Sequence, residues 1–337
     1  MILTFIIIYD VFSVNFLREL NCETSLNPGK VNSISNLYFI VFLLITVILI
    51  ASLIYLWREL IRNRKTLTST ISELNETKEN LSILEYKLRN VTDSLVYARH
   101  IQKALLPSES FLANHFNDYF IFYQPRDIVS GDFYWFGITG DRICVVSADC
   151  TGHGVPGALM SIIGQNILNQ VISNGNSDNP AEIMERLDVS VRNYFSREGE
   201  YYIRDSMDIG ICMIDHKRKV IEFAGAFSSM YFIKDNRLKE IKGDKQILGM
   251  KPEKFRFTSQ VENFSGGEVV YLFTDGYADQ FGGEEGKKFM YRRFRYLLTT
   301  INMLPLNEQK TILEETLNSW KGNNEQVDDI LVIGLRL

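Results

Sequence analysis

The chain has 337 residues, of which 46% are hydrophobic, 23% charged and 12% aromatic, and its formal net charge is −5. That length predicts two or three structural parts, and the charge argues against the basic face that nucleic-acid binders carry. The four cysteines, Cys22, Cys144, Cys150 and Cys212, are widely spaced without a CxxC pair, so reduced core thiols are expected rather than a disulfide framework or a zinc site.

The apolar residues are concentrated at the start. Residues 2–17 form a short apolar run broken by Asp10, with no basic leader ahead of it. A signal peptide is therefore disfavoured, and a short second span is preferred over an interfacial stretch or the remnant of a larger sensor. Leu37–Trp57 is an uncharged run of 21 residues, long enough to cross a bilayer as a helix. Arg58, Arg62, Arg64 and Lys65 follow it, against the single Glu59, which places the C-terminal side in the cytoplasm by the positive-inside rule.

Next, Leu60, Leu67, Leu74, Leu81, Leu88 and Leu95 recur every seven residues. Leu84, Val91 and Ala98 supply a second seam position, and Glu and Lys residues flank it. This pattern predicts a two-stranded coiled coil, with a single amphipathic helix packed on its own domain as the other reading. A parallel homodimer suits a membrane protein, because both copies enter the cytoplasm from the same side. Pro107 ends the helix. The expected parts are a membrane region over 1–57, a signalling and dimerisation helix over 58–106, and a catalytic domain over 107–337.

Beyond Asn117 short runs rich in Val, Ile, Phe and Tyr predict strands: Tyr119–Tyr123, Ile143–Ala148, Asp208–Ile214, Val220–Phe223, Met230–Ile233, Val269–Phe273 and Ile330–Leu335. Helical patterns cover Pro156–Ile172, Pro180–Phe195, Lys287–Ile301 and Asn307–Trp320. Strand pairs and helix pairs without regular βαβ alternation predict an α+β layered domain.

Aspartates mark the strand ends. Asp132 precedes the aromatic run Phe133–Phe136, Asp149 closes Ile143–Ala148, Asp275 closes Val269–Thr274, and Asp328 with Asp329 opens the last strand. Each alone is an ordinary turn or cap residue. Together they form the oxygen-rich set that holds hard divalent cations, and two such ions can activate water against a phosphoryl group without a nucleophilic serine or cysteine.

Three segments then resemble one family: Ile101-Gln102-Lys103-Ala104-Leu105-Leu106-Pro107, Val129-Ser130-Gly131-Asp132-Phe133-Tyr134, and Ala148-Asp149-Cys150-Thr151-Gly152-His153-Gly154-Val155-Pro156-Gly157-Ala158-Leu159-Met160. With Leu272-Phe273-Thr274-Asp275-Gly276 and Asp328-Asp329-Ile330 downstream in order, the chain from about residue 90 onward resembles the SpoIIE/RsbU-type branch of the PPM (PP2C-like) serine/threonine phosphatases. The resemblance implies an αββα sandwich of two antiparallel sheets flanked by helices. It implies two Mn²⁺ or Mg²⁺ ions, with Asp132 on one, Asp149 bridging both, the Cys150 carbonyl completing a shell, and Asp275, Asp328 and Asp329 as the remaining candidates. It implies hydrolysis of phosphoserine or phosphothreonine by a metal-activated water, on a phosphorylated STAS-type antagonist protein, with the helix Tyr97–Leu106 as a switch on site assembly. The setting would be the cytoplasmic membrane of a bacterium.

The proton donor stays open between His153 and a metal-bound water, because Thr151 stands where eukaryotic relatives carry a histidine. Asp208 is read as structural. Arg126 is either a phosphate contact or half of a surface ion pair. Two rival functions are a catalytically silent membrane scaffold of the same fold, and a phosphohydrolase for a small phosphorylated molecule, which a deep pocket at Gly225–Ser229 would favour. His100 lies on the helix, but no nucleotide-binding glycine motif follows to support a kinase.

Overall fold

The computed structural model describes residues 28–173, 179–195, 206–249 and 255–337, together with Val14. The expected span over 2–17, Val14 apart, and Cys22 lie outside the described residues.

One continuous helix, α1 (Pro28–Leu105), carries the apolar segment and the leucine repeat. It stops two residues short of Pro107, which disfavours helical backbone in the residue before it. Its most apolar window has a mean hydropathy of 3.0 with none of it buried, so by length and composition it can cross a membrane. The hydroxyls there bond back to their own helix, Thr46 Oγ1 to the Leu43 carbonyl at 2.8 Å and Ser52 Oγ to the Ile48 carbonyl at 2.5 Å. Such self-satisfaction is required where water is absent. Further along, Leu60, Leu67, Leu74, Leu81 and Leu88 are each more than half exposed. The chain divides into compact units between Lys87 and Leu88, within α1, so residues 88–105 belong with the folded C-terminal unit.

In that unit α2 (Ser110–His115) leads to β1 (Tyr119–Gln124), β2 (Phe133–Thr139) and β3 (Arg142–Cys150). Helices α3 (Gly154–Ser173) and α4 (Pro180–Phe195) precede β4 (Met207–Asp215), β5 (Val220–Ala226), β6 (Ser229–Lys234), β7 (Arg237–Lys242), β8 (Gln260–Asn263) and β9 (Val269–Phe273). Then come α5 (Gly276–Asp279), the small hairpin β10 (Phe281–Gly282) and β11 (Lys287–Lys288), α6 (Met290–Ile301), α7 (Leu306–Lys321) and β12 (Ile330–Arg336). Two five-stranded antiparallel sheets result, ordered β1-β12-β9-β6-β7 and β2-β3-β4-β5-β8.

The period-two alternation of the strands sorts their side chains into three apolar layers. Val145, Cys212, Phe223, Leu272, Leu331 and Ile333 fill the space between the sheets. Val146, Ala148, Ile209, Ile211 and Met213 face outward onto Leu168, Met184 and Leu187 of α3 and α4. Tyr271, Phe273, Ile330 and Val332 face outward onto Phe294, Leu298, Leu313 and Leu317 of α6 and α7. The architecture is therefore an αββα sandwich of two antiparallel sheets. Strands buried on both faces read as continuous apolar runs, which is why β3, β4, β9 and β12 are visible in the sequence. The unexpected β7 and β8 are the outer strands of their sheets, and their charged sequences suit edges that must not pair further.

Candidate active site

Both sheets contribute carboxylates at one end of the sandwich. Asp132 immediately precedes β2, Asp149 is the penultimate residue of β3, Asp275 follows β9, and Asp328 and Asp329 precede β12. Asp208, expected to be structural, pairs across the sheet directly with Asp149. A cleft of about 320 Å³ is lined by Asp149, Asp208 and Asp275 at this end, with Ser147, Thr274 and Phe227–Ser229 among its other walls.

Glycines let the segments approach. A Cβ on Gly131 would stand 2.6 Å from the Gly152 carbonyl oxygen and 3.1 Å from that of Cys150, so the turn before Asp132 packs on the turn after Asp149 only because residue 131 has no side chain. Gly152 itself has φ +88°, the left-handed region, which glycine enters without a Cβ penalty. Cys150 is buried as expected, with its carbonyl turned toward Gly131.

Fixed hydrogen bonds hold Asp132, which is 1% exposed. Its Oδ2 accepts from Thr274 Oγ1 at 2.6 Å, and Thr274 Oγ1 accepts in turn from the Leu331 N–H at 3.0 Å. Thr274 thus ties β9, β12 and Asp132 together. Asp329 has a different task from the other carboxylates. Its Oδ1 accepts from the Arg126 N–H and its Oδ2 from the Gly131 N–H, both at 2.7 Å. Both oxygens are engaged in fastening the loop that presents Asp132, which makes Asp329 a positioning group where the resemblance had left it as a ligand candidate. The Arg126 guanidinium folds back onto the Val327 carbonyl at 3.1 Å.

Buried like charges push these groups up. Burial, then the neighbouring Asp149, raises Asp132 well above the usual carboxylate range. Burial, then Asp275 and Asp328, does the same to Asp149. Asp275 is raised to about 6 by burial and then by Asp328. Asp208 reaches about 6 through burial, although its side chain keeps an exposed edge. Burial also raises Asp328, offset partly by His153 and Arg126. His153 Nδ1 lies 3.0 Å from Asp127 Oδ2, and both side chains are about half exposed.

These residues fit divalent cations. The donors are hard oxygens, they repel one another, and Asp275 Oδ1 is buried without a hydrogen-bond partner. Such groups are costly unless a counter-charge arrives. Among the described residues no three His, Cys, Asp or Glu side chains converge as a ready-made cage. Mg²⁺-type ions accept that arrangement, since they keep several waters and take only one or two carboxylates each.

Within the helix Tyr97–Leu106, which the resemblance implies as a switch, the sequence assigns no individual role to one residue behind the site. Gln102, on α1, is 3% exposed. Its Nε2 donates to the Ser130 carbonyl at 2.6 Å and to Ser161 Oγ at 2.9 Å, while its Oε1 accepts from the Ser130 N–H at 3.1 Å. One amide therefore clamps α1 to the Ser130-Gly131-Asp132 loop and to α3. A signal was present: Gln102 lies seven residues after Leu95, a polar residue where the leucine series would continue.

The model for stage II sporulation protein E (SpoIIE) matches residues 139–337. The SiaA-PP2C domain of Pseudomonas aeruginosa is 34% identical, with a TM-score of 0.68 over 74% of this chain and 98% of that one. The RsbU and RsbW domains of a Mycobacterium tuberculosis protein share the fold at 21% identity and a TM-score of 0.52, over 65% of this chain and 59% of that one. So does the PP2C phosphatase domain of SpoIIE from Bacillus subtilis with a fragment of its regulatory domain, at 16% identity and a TM-score of 0.51, over 65% and 63% respectively. No curated protein sequence matches the chain significantly.

Proposed function

The chain belongs to the SpoIIE family of PP2C-type phosphatases, and from that premise we propose that it is a metal-dependent protein serine/threonine phosphatase anchored in a bacterial cytoplasmic membrane. The observation that carries this reading is the clustering of mutually repelling carboxylates from strand ends of both sheets around one cleft, which Asp149, Asp208 and Asp275 line. Asp132, Asp149, Asp275, Asp328 and the Cys150 carbonyl are the groups we assign to two Mn²⁺ or Mg²⁺ ions. Bound there, such ions activate water and neutralise a phosphoryl transition state.

The chain's own residues do the rest. Thr274 and Asp329 hold Asp132 and its loop in place, and Asp208 adds negative potential opposite Asp149. His153, which Asp127 contacts at 3.0 Å, is our candidate to protonate the departing serine or threonine oxygen, with a water molecule as the other donor. The substrate we favour is a phosphoserine or phosphothreonine on a STAS-type regulatory protein. Arg58, Arg62, Arg64 and Lys65 put the catalytic unit in the cytoplasm, and the exposed leucines of α1 pair two copies in parallel.

A second reading has support in one feature. Phe227, Ser228 and Ser229 wall the cleft, as a site for a small phosphate ester would require. Phe227 is nevertheless 50% exposed, so the cleft opens to solvent and admits a chain segment. The deciding experiment is phosphate release by the detergent-solubilised full chain from phosphoserine peptides and from a small aryl phosphate, with Mn²⁺, with chelator, and as Asp149→Asn. Mn²⁺-dependent peptide hydrolysis abolished by the substitution supports the assignment. Turnover of the small ester alone would favour the second reading, and no turnover under any condition would favour a silent scaffold.

A further inference from the structure

The cleft also carries cations. Besides the aspartates it is lined by Lys242, Glu240 and Arg295, the last on α6. Arg295 Nη1 lies 3.4 Å from Glu240 Oε2, and Lys242 Nζ lies 3.7 Å from the same oxygen. Two cations share one carboxylate oxygen, and both distances exceed the roughly 2.7–2.9 Å of a strong charge-assisted bond. This wall therefore keeps a net positive charge with donors free to accept another anion.

Ser147 Oγ, a buried atom without a hydrogen-bond partner, belongs to a residue lining the same cleft. The fully buried Tyr231 neighbours the Arg295 guanidinium and helps to fix its position.

The surroundings extend the charge. Residues 287–296 hold five cations, Lys287, Lys288, Arg292, Arg293 and Arg295, and no carboxylate, in a chain whose net charge is −5. Lys287 and Lys288 are paired with Glu285 and Asp279, and Arg293 stacks on the Trp320 ring at 4.3 Å. Arg292 is exposed at the surface of α6.

We propose that Arg295, with Lys242, forms an anion subsite that takes the carboxylate of an acidic residue flanking the phosphoserine, so that the substrate is an acidic phosphopeptide segment laid along α6. This inference rests on the phosphatase reading. Glu240 is the resident counter-charge, which holds the guanidinium in place until the substrate carboxylate joins it. Arg295 is thus a specificity-determining residue and not a metal ligand.

The test uses the full chain in detergent with Mn²⁺ and three substrates: a phosphoserine peptide flanked by glutamates, the same peptide flanked by alanines, and a small aryl phosphate. The wild-type protein is expected to prefer the acidic peptide over the neutral one by about tenfold in kcat/KM, the worth of one charge-assisted hydrogen bond. Arg295→Ala should bring that ratio close to one, and Arg295→Lys should restore most of it. A wild-type ratio near one, or a ratio unchanged in Arg295→Ala, overturns the subsite. An equal loss on all three substrates also overturns it, since Arg295 would then hold the phosphoryl group itself. If the wild-type protein hydrolyses none of the three, the phosphatase reading fails and takes this inference with it.

Discussion

Replacing Gln102 by alanine removes the amide that joins α1 to the Asp132 loop. Three hydrogen bonds disappear, at 2.6, 2.9 and 3.1 Å. Ser161 Oγ keeps a bond to the Ala158 carbonyl at 2.9 Å, so its loss is small. The Ser130 N–H loses its partner in a buried setting, and the Ser130 C=O keeps only a longer bond from Ser161 Oγ at 3.3 Å. Net values of about 1 kcal/mol per bond, with the added penalty of an unsatisfied buried group, give roughly 3 kcal/mol against the docked loop. That is on the order of a hundredfold in the docked population. In the proposed assignment the cations require the docked loop, because Asp132 rides on it, so the penalty should appear as weaker metal binding. In a Mn²⁺ titration of phosphopeptide hydrolysis by the full chain, Gln102→Ala should shift half-saturation upward by ten- to about a hundredfold, with kcat partly recovered at high Mn²⁺. Half-saturation and kcat both within about twofold of wild type would show that the amide has no part in assembling the site.

Further outcomes follow from the carboxylates and the stalk. The folded-state values of Asp275 and Asp208 lie at about 6 against 3.8 for a free carboxyl. Because they are raised, the native state retains protons that the unfolded chain has released. Metal-free stability from these groups is therefore fully present below about pH 4 and is lost as pH rises through about 6. Calorimetry should accordingly find a larger rise in Tm on adding Mn²⁺ at about pH 7.5 than at about pH 5.5, and an equal rise at both would contradict the assignment. Asp149→Asn relieves the repulsion with Asp132 and Asp275, so it should raise the metal-free Tm while lowering peptide hydrolysis by about a thousandfold or more; a lower Tm would argue against that repulsion. Asn substitutions at both Leu74 and Leu81 should abolish cysteine-directed cross-linking between two copies along α1, and retained cross-linking would favour a monomeric helix.

Legibility in the sequence tracked burial. Strands covered on both faces carry uninterrupted apolar runs, so β9 (Val269–Phe273) shows at its true bounds. The edge strands β7 and β8 are mostly polar or charged, with few apolar residues, and resemble loops. The carboxylates at the strand ends were legible because an aspartate closing an apolar run contradicts its surroundings. Their division of labour was not. Asp329 and Asp328 are adjacent in sequence, yet only the fold shows that Asp329 accepts two backbone N–H groups 198 and 203 residues away. Asp208 reads as structural from its place in the strand, and nothing local reveals that its cross-strand partner is Asp149.

The leucine repeat and the Gln102 clamp belong to one stripe of one helix, which gives regulation a physical basis. Leu60 to Leu88 are exposed, Leu95 is half-buried, and Gln102 is buried against the catalytic fold. In the proposed dimer the first five of these positions face the partner helix, whereas the last faces the Asp132 loop. A straight α-helix drifts by about 20° per heptad relative to a strict seven-residue repeat, so one stripe satisfies both partners only if the helix supercoils or turns between them. Any signal that tightens or rotates the stalk changes that compromise at its C-terminal end. The end is held by an amide, whose hydrogen bonds are directional and weaken steeply with misalignment, rather than by a leucine, whose contacts are not directional. In the proposed dimer a polar residue at this seam position would convert a small rotation of α1 into release or capture of the loop that carries Asp132.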